Sequence, residues 1–398
     1  MQIQNRLRKL YLLIGIVLCA CQPSTITNTL PSSTPKATPS PVRTASPVPV
    51  STETAEPSAT IPVSTVELEG AEVPQGFSLI KFADLYRPTG FDFDLQGRLY
   101  VTSQDGNVYI LEDEDRDGRA DSRLTFASGY YFPLGVAVHA PSGDVYVSYQ
   151  GAITVLKDTN GDGRSDEERM LVDDLPFDKH QNDNLEFGPD GWLYIGVGST
   201  CDACDDPDPR SASILRFNVA TSESEIFATG MRNPFDFAFH PETGDLFATD
   251  NGRDDLGMES PFEELNHILQ GADYGYPNCW NEQDQPGCET TTPPIAVFES
   301  HSSANSVDIY NGEGFPPEFR GNAFISIFGS WLKADVQTGI QRVVLTPADE
   351  SYTAEATWFI RFPAGVMPLP LLIGPDDAMY VGDYVNDAIY RISYGSPD

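Results

Sequence analysis

The chain has 398 residues, with 59 Asp and Glu against 24 Lys and Arg, for a formal charge of −35 at pH 7. So acidic a chain offers no basic patch to displace counterions from phosphates, which excludes nucleic acid as a partner and an anionic membrane as a directly bound surface. Most of the charge reads as the solvation of an exported protein, and part of it as metal binding.

In chain order, residues 1–20 open with Arg6, Arg8 and Lys9 and continue into the apolar run LYLLIGIVLCA. That run is too short to span a bilayer and reads as a secretory signal. It closes in Leu18-Cys19-Ala20-Cys21, which resembles the lipobox of bacterial lipoproteins. The resemblance implies cleavage before Cys21 and lipidation of its thiol. The expected location is the cell envelope, outside the cytoplasm, with the membrane reached through the lipid anchor alone. Residues 21–72 are rich in Pro, Ser and Thr, and no aromatic side chain occurs between Leu12 and Gly76. Such a stretch cannot bury enough apolar surface to offset its chain entropy, so a disordered tether is expected. Residues 73–398 remain for one folded domain.

Six segments of that domain share one pattern: an alternating apolar strand, a turn with Gly or Pro-Asp, and a second strand that starts on an apolar–aromatic pair. The pairs are Leu99-Tyr100, Val145-Tyr146, Leu193-Tyr194, Leu246-Phe247, Ala323-Phe324 and Met379-Tyr380, spaced 46, 48, 53, 77 and 56 residues apart. Period-two alternation across a tight turn is a hairpin signal, and its recurrence every 40–50 residues marks four-stranded propeller blades. The expected fold is all-β, a six-bladed β-propeller of four-stranded blades. The long fourth interval, which contains Cys279 and Cys288, is expected to be an insertion on one face.

Two acidic loops, DEDRDGRAD at 113–121 and DTNGDGRSD at 158–166, place oxygen side chains at positions 1, 3, 5 and 9 with Gly at position 6. That is most of a calcium loop of the EF-hand kind. The expected ligands are Asp113, Asp115, Asp117 and Asp121 in the first, and Asp158, Asn160, Asp162 and Asp166 in the second. Neither has Glu at position 12, and strands flank both, so structural calcium in a hairpin turn is the expectation, against an ion-free solvated turn. Once Cys19 leaves with the signal and Cys21 carries lipid, Cys201, Cys204, Cys279 and Cys288 are left. Outside the cytoplasm an even number favours disulfides. Three pairings are open, and the local one, Cys201 with Cys204 and Cys279 with Cys288, is preferred.

The chemistry is expected in the third and fourth repeats. KHQNDNLEFGPDGWLYIGVGS puts His180 just before a strand, and GMRNPFDFAFHPETGDLFATDNG puts Arg232-Asn233-Pro234 at the same place one repeat later. In a propeller, residues that enter the innermost strand of each blade converge on the mouth of the central channel. A histidine there can serve as general base, and an arginine can hold a carboxylate by its planar fork.

These segments, with EELN at 263–266, GADYGYPNCW at 271–280 and FPPEFRGNAFISIFGSWLK at 315–333, resemble the soluble quinoprotein glucose dehydrogenases and their sorbosone and aldose sugar dehydrogenase relatives. The resemblance covers roughly residues 74–395. It implies a six-bladed propeller that uses pyrroloquinoline quinone and calcium to oxidise an aldose or related sugar. His180 would be the catalytic base, and Arg232, Asn233 and Lys333 would contact the cofactor. The carbonyls of Gly252 and Arg253 would bind its calcium. No attached haem is encoded, so electrons would pass to a separate acceptor, a quinone or a cytochrome. The chain departs from the family in three places: Ser199 stands where an Asp supports the histidine, Lys179 precedes the histidine, and AGVMPLPLLIGPDD replaces the basic segment of the last blade. The alternative is therefore a non-catalytic, calcium-stabilised propeller that binds carbohydrate or another ligand.

Overall fold

The computed structural model describes residues 64–395. The signal segment 1–20, Cys21 and the tether up to residue 63 lie outside the described residues. The described chain forms 24 strands in six antiparallel four-stranded sheets, with one short 3-10 turn at Pro317–Phe319. The first strands of the sheets, from blade 1 to blade 6, are Pro88–Phe93, Gly135–Val138, Asn182–Phe187, Phe237–Phe239, Ala304–Ile309 and Pro368–Ile373. Each touches the next and the last touches the first, so they ring a central axis. The fold is a six-bladed β-propeller. Blade 6 takes its outermost strand, Phe77–Asp84, from the start of the domain, where it pairs with Ala388–Tyr394.

The apolar–aromatic pairs all stand at the start of the second strand of a blade, and packing explains why they recur. Successive side chains of a strand point to opposite faces. The first member faces the preceding blade: Leu99 packs into the core between blades 6 and 1. The second faces the following blade: Tyr100 packs into the core between blades 1 and 2. The rule holds for all six pairs, with Val145 and Tyr146, Leu193 and Tyr194, Leu246 and Phe247, Ala323 and Phe324, and Met379 and Tyr380 divided between adjacent cores. The repeat in the sequence is thus the requirement that each blade fill two interfaces at once.

Carboxylates close the inner ring. Asp92 accepts Val138 N–H of the next blade at 2.6 Å, Asp236 accepts Val307 N–H at 3.2 Å, and Asp308 accepts Ile373 N–H at 2.7 Å. Each also takes the N–H of its own following residue. The inner strands have a free edge toward the axis, and these side chains satisfy backbone donors there that would otherwise be buried unpaired.

Residues 64–72, which composition assigns to the tether, lie against the last blades. Glu67 N–H donates to Leu79 O and Leu79 N–H to Thr65 O, Glu72 pairs with Arg361, and Leu68, Ala71 and Val73 pack on the core between blades 5 and 6. Three apolar side chains within six residues suffice to hold the segment. The acidic loops 113–121 and 158–166 join the third and fourth strands of blades 1 and 2, and each leans on the blade before it. Ala120 N–H bonds to Phe82 O in blade 6, and Ser165 N–H to Phe126 O in blade 1.

Candidate active site at one mouth of the channel

The segments that enter the first strands and leave the second strands surround a cavity of about 650 Å3, within the range of ligand sites. His180, Arg232, Asn233 and Gly252 all line it. Blade geometry brings them together. Gly196 and Gly198, at the end of the second strand of blade 3, have no side chain, so the entry to blade 4 lies directly on them. A Cβ on Gly196 would fall 2.0 Å from Pro234 O, and one on Gly198 would fall 2.5 Å from both Asn233 Oδ1 and His180 Cβ. Asp250, at the end of the second strand of blade 4, then fixes the entry by accepting Arg232 N–H at 3.0 Å and Asn233 N–H at 2.7 Å.

His180 has a defined proton arrangement. Nδ1 lies 2.9 Å from Ser199 O and 3.1 Å from Ser199 Oγ. A carbonyl only accepts, so Nδ1 carries the hydrogen and Nε2 keeps its lone pair. Burial, and next the positive charge of Arg232, push the imidazole down to about 3, so the ring is neutral at physiological pH. Ser199, standing where the resemblance leads one to expect an Asp, thus orients the ring through its carbonyl and hydroxyl. Its hydroxyl in turn donates to Cys201 O at 2.7 Å.

Arg232 is 4% exposed, and each of its three guanidinium nitrogens donates to protein. Nη2 meets Asp202 Oδ1 at 2.7 Å and Asp254 Oδ2 at 2.9 Å, Nε donates to Asp202 O, and Nη1 to Asn251 O. Lys179 joins the same two carboxylates at 2.8 and 2.7 Å. Burial works against ionising Asp202, but the hydrogen bonds from Lys179 and Arg232 outweigh it and hold the acid well below its ordinary range. The chain pairs Cys201 with Cys204, and that four-residue ring carries Asp202 to the network; Cys279 pairs with Cys288 in the blade 4 insertion. Sequence reasoning missed Asp202 and Asp254, although an acid inside a two-residue disulfide loop directly after the GVGST strand was a signal.

Other expected residues fall elsewhere. Lys333 is not among the residues that line the cavity, and its ammonium sits 3.0 Å from Glu299. The side chain of Arg253, whose carbonyl is the expected calcium ligand, bonds to Asp255 and Pro277 O with its guanidinium over Trp280. From the apolar last-blade segment Leu369 lines the cavity, where it packs with Leu134, Phe235, Phe328, Met367 and Tyr384 of blades 2, 4, 5 and 6. In the first acidic loop Asp113, Asp115 and Asp117 bring carboxylate oxygens within 4.8 Å of one another. In both loops the carboxylates also accept backbone N–H groups, Asp113 from Gly118 and Asp158 from Asn160, Gly161 and Gly163, and in the second Asn160 donates to Asp166.

The donor set of the cavity fits a hard cation well. Asp183 Oδ2, Asn233 Oδ1 and Asn251 Oδ1 are buried oxygens without a hydrogen-bond partner, on residues that line it, beside Gly252 and Glu263. An anionic planar group finds Arg232 and Lys179 there, shared with Asp202 and Asp254, and apolar side chains in the same cavity.

Buried acids near the cavity make stability depend on pH. Burial holds Asp236 and Asp250 up at about 7, and Glu263 and Glu264 up at about 8. Between about pH 4 and pH 8 the folded protein therefore binds more protons than the unfolded chain, and its stability falls as pH rises. The contribution is complete below the ordinary carboxylate range and lost above about pH 8. Thermal melts from pH 5 to pH 8.5 in chelator should show a falling midpoint; a midpoint that rises across that window would mean these carboxyls are ionised in the fold.

A family model described as "Domain of unknown function (DUF7133)" matches residues 65–393. The chain belongs to that family. A Borreliella burgdorferi relative of this DUF7133 chain, an uncharacterized protein, is 23% identical over 81% of the chain and 90% of its own length. Among solved structures, the calcium structure of a Trichoderma reesei carbohydrate-active enzyme of family AA12 superposes with TM-score 0.72 at 17% identity, covering 83% of this chain and 98% of that one. The holo form of the pyranose dehydrogenase PQQ domain from Coprinopsis cinerea gives TM-score 0.69 at 15% identity, covering 83% and 100%. The DUF7133 chain therefore shares the propeller architecture of these enzymes.

Proposed function

We propose that the cavity is the active site of a quinone-dependent oxidoreductase that oxidises an aldose or related sugar hydroxyl. The observation that carries this reading is the neutral His180, which lines the cavity with its proton held on Nδ1 by Ser199 and its Nε2 without a protein partner. Nε2 takes the proton of the substrate hydroxyl as the C–H bond gives up its hydride. Ser199 holds the imidazole through Nδ1, so the base keeps its orientation while the ring becomes charged. Arg232 and Lys179 would meet the acidic groups of pyrroloquinoline quinone, with Asn233 beside them. Gly252, Asn251 and Asp183 are the oxygen donors nearest to hand for calcium. When bound, the quinone supplies the electrophilic carbon that accepts the hydride, and calcium polarises its carbonyl. Electrons then leave to a separate acceptor. An exported, lipid-anchored protein fits the reading, as do its two disulfides.

The test is reconstitution: the purified protein is given calcium and pyrroloquinoline quinone, and dye reduction is followed with a panel of aldoses. Cofactor binding with dye reduction supports the reading, and the absence of both overturns it. The pairing of Arg232 and Lys179 with Asp202 and Asp254 favours a second reading, a propeller that binds carbohydrate without catalysis. Carbohydrate binding with no quinone binding would support that one.

Structural calcium in the loops at 113–121 and 158–166 belongs to the same proposal. Because the first loop leans on the closing strand at Phe82, removing the ion should loosen the ring closure. We expect EDTA to lower the thermal midpoint by several degrees, and Asp113→Ala to abolish that EDTA response in part. An unchanged midpoint in EDTA would mean that the loops hold no ion.

A further inference from the structure

Most large apolar side chains of the described residues are buried, yet four of the exposed ones line this single cavity. Trp331 is 72% exposed, Tyr131 69%, Leu332 55% and Phe132 41%. Leaving such groups in water is unfavourable, and their concentration around a polar cavity marks a ligand surface. They come from two places in the ring. Tyr131 and Phe132 precede the first strand of blade 2, whereas Trp331 and Leu332 follow the second strand of blade 5. Blades 2 and 5 are diametrically opposed in a ring of six, so the aromatic side chains face one another across the mouth.

Both sides are braced. The Trp331 ring lies 5.7 Å from the buried Phe328, which packs in turn on Tyr384. Phe132 adopts φ +55°, an unusual conformation for an aromatic residue, and its carbonyl accepts Gln181 Nε2 at 2.9 Å. Gln181 directly follows His180, so one rim of the mouth is tied to the position of the base.

The chemistry between the two rims selects the ligand. Polar side chains, Lys179 and Asp254 among them, line the same cavity, and a purely apolar partner would take them from water with only their protein partners to bond. Lys179 and Asp254 are already paired with each other, so no charge is required of the sugar itself. A pyranose ring matches both features, with a C–H face for an aromatic ring and hydroxyls around its edge. Trp331 and Tyr131 are more exposed than His180, so a sugar stacked on them lies nearer to solvent than one that meets Nε2.

We propose that the rim binds the second and third units of a neutral oligosaccharide, stacked on Trp331 and Tyr131, while the terminal unit reaches His180. This rests on the reading of the cavity as a sugar site. The test is calorimetric titration of the purified protein, without cofactor, with glucose, cellotriose and maltotriose. At least one trisaccharide should bind about tenfold more tightly than glucose, Trp331→Ala and Tyr131→Ala should each remove about tenfold of that affinity, and Trp331→Phe should restore most of it. Equal affinity for glucose and both trisaccharides, no binding of either trisaccharide, or Ala variants that bind like the parent would each overturn the proposal. Dye reduction on the loaded protein separates the two ideas. A protein that oxidises glucose but ignores trisaccharides refutes the rim alone, and one that binds trisaccharides through Trp331 without ever reducing dye refutes the oxidoreductase alone.

Discussion

His180→Gln should lower turnover of the reconstituted enzyme by about 10²–10⁴-fold, the range for losing a general base. Glutamine keeps a polar side chain in the space but cannot take up the substrate proton at neutral pH. Cofactor affinity and the thermal midpoint should stay close to those of the parent, because the His180 side chain bonds to protein only through Ser199. The parent should also lack the acid limb near pH 6.5 that an exposed histidine would give. With the imidazole pushed down to about 3 by burial and by Arg232, the base is already unprotonated at pH 5, and kcat/KM should fall only below about pH 4. Turnover retained in the variant, or an acid limb near 6.5 in the parent, would remove the assignment of His180 as base.

Arg232→Met should destabilise the fold by about 3 kcal/mol, the scale expected when one partner of a buried charge network is deleted. Asp202 and Asp254 keep Lys179 as a partner, which tempers the loss, but the carbonyls of Asp202 and Asn251 lose their donors. The readout is the urea midpoint at constant m-value. Asp254→Asn added to Arg232→Met should recover part of the loss, because it removes the one negative charge that Lys179 cannot balance. A shift below 1 kcal/mol in the single variant would mean that the guanidinium does not hold these loops together.

The fold was legible because its repeat is a packing requirement. Leu99 and Tyr100 must fill different cores, and that demand writes the same pair into all six blades whatever the loops do. His180 and Arg232 were legible for a related reason: both stand four residues before equivalent positions of an inner strand, Asn184 and Asp236. Their partners were not legible. Asp202 reaches Arg232 across 30 residues and Asp254 reaches Lys179 across 75, through loops whose paths no periodicity records. Lys333 shows the converse. Its position in a recognisable segment suggested a contact with the cofactor, but Glu299, on a neighbouring loop, takes its ammonium. The apolar last-blade segment was noticed as a loss of cations, and its structural part, as one wall of the mouth, emerges only when Leu134, Phe235 and Phe328 meet it. The composition of residues 64–72 concealed Leu68 and Ala71, which are enough to fasten that stretch to the last blades.

The clasp of blade 6 has a consequence for how the molecule is made. Ser78 Oγ donates to Gly395 O across 317 residues, and the strand pairing around it joins the beginning of the domain to its end. Translation delivers Phe77–Asp84 early, and this strand then waits as an unprotected edge until Ala388–Tyr394 emerges. Bringing the two together costs about 5 kcal/mol of loop entropy, and this is recovered only when the whole circle is in place. Assembly should therefore finish in one late step, and a nascent chain stalled before residue 388 should remain open and prone to associate with other copies.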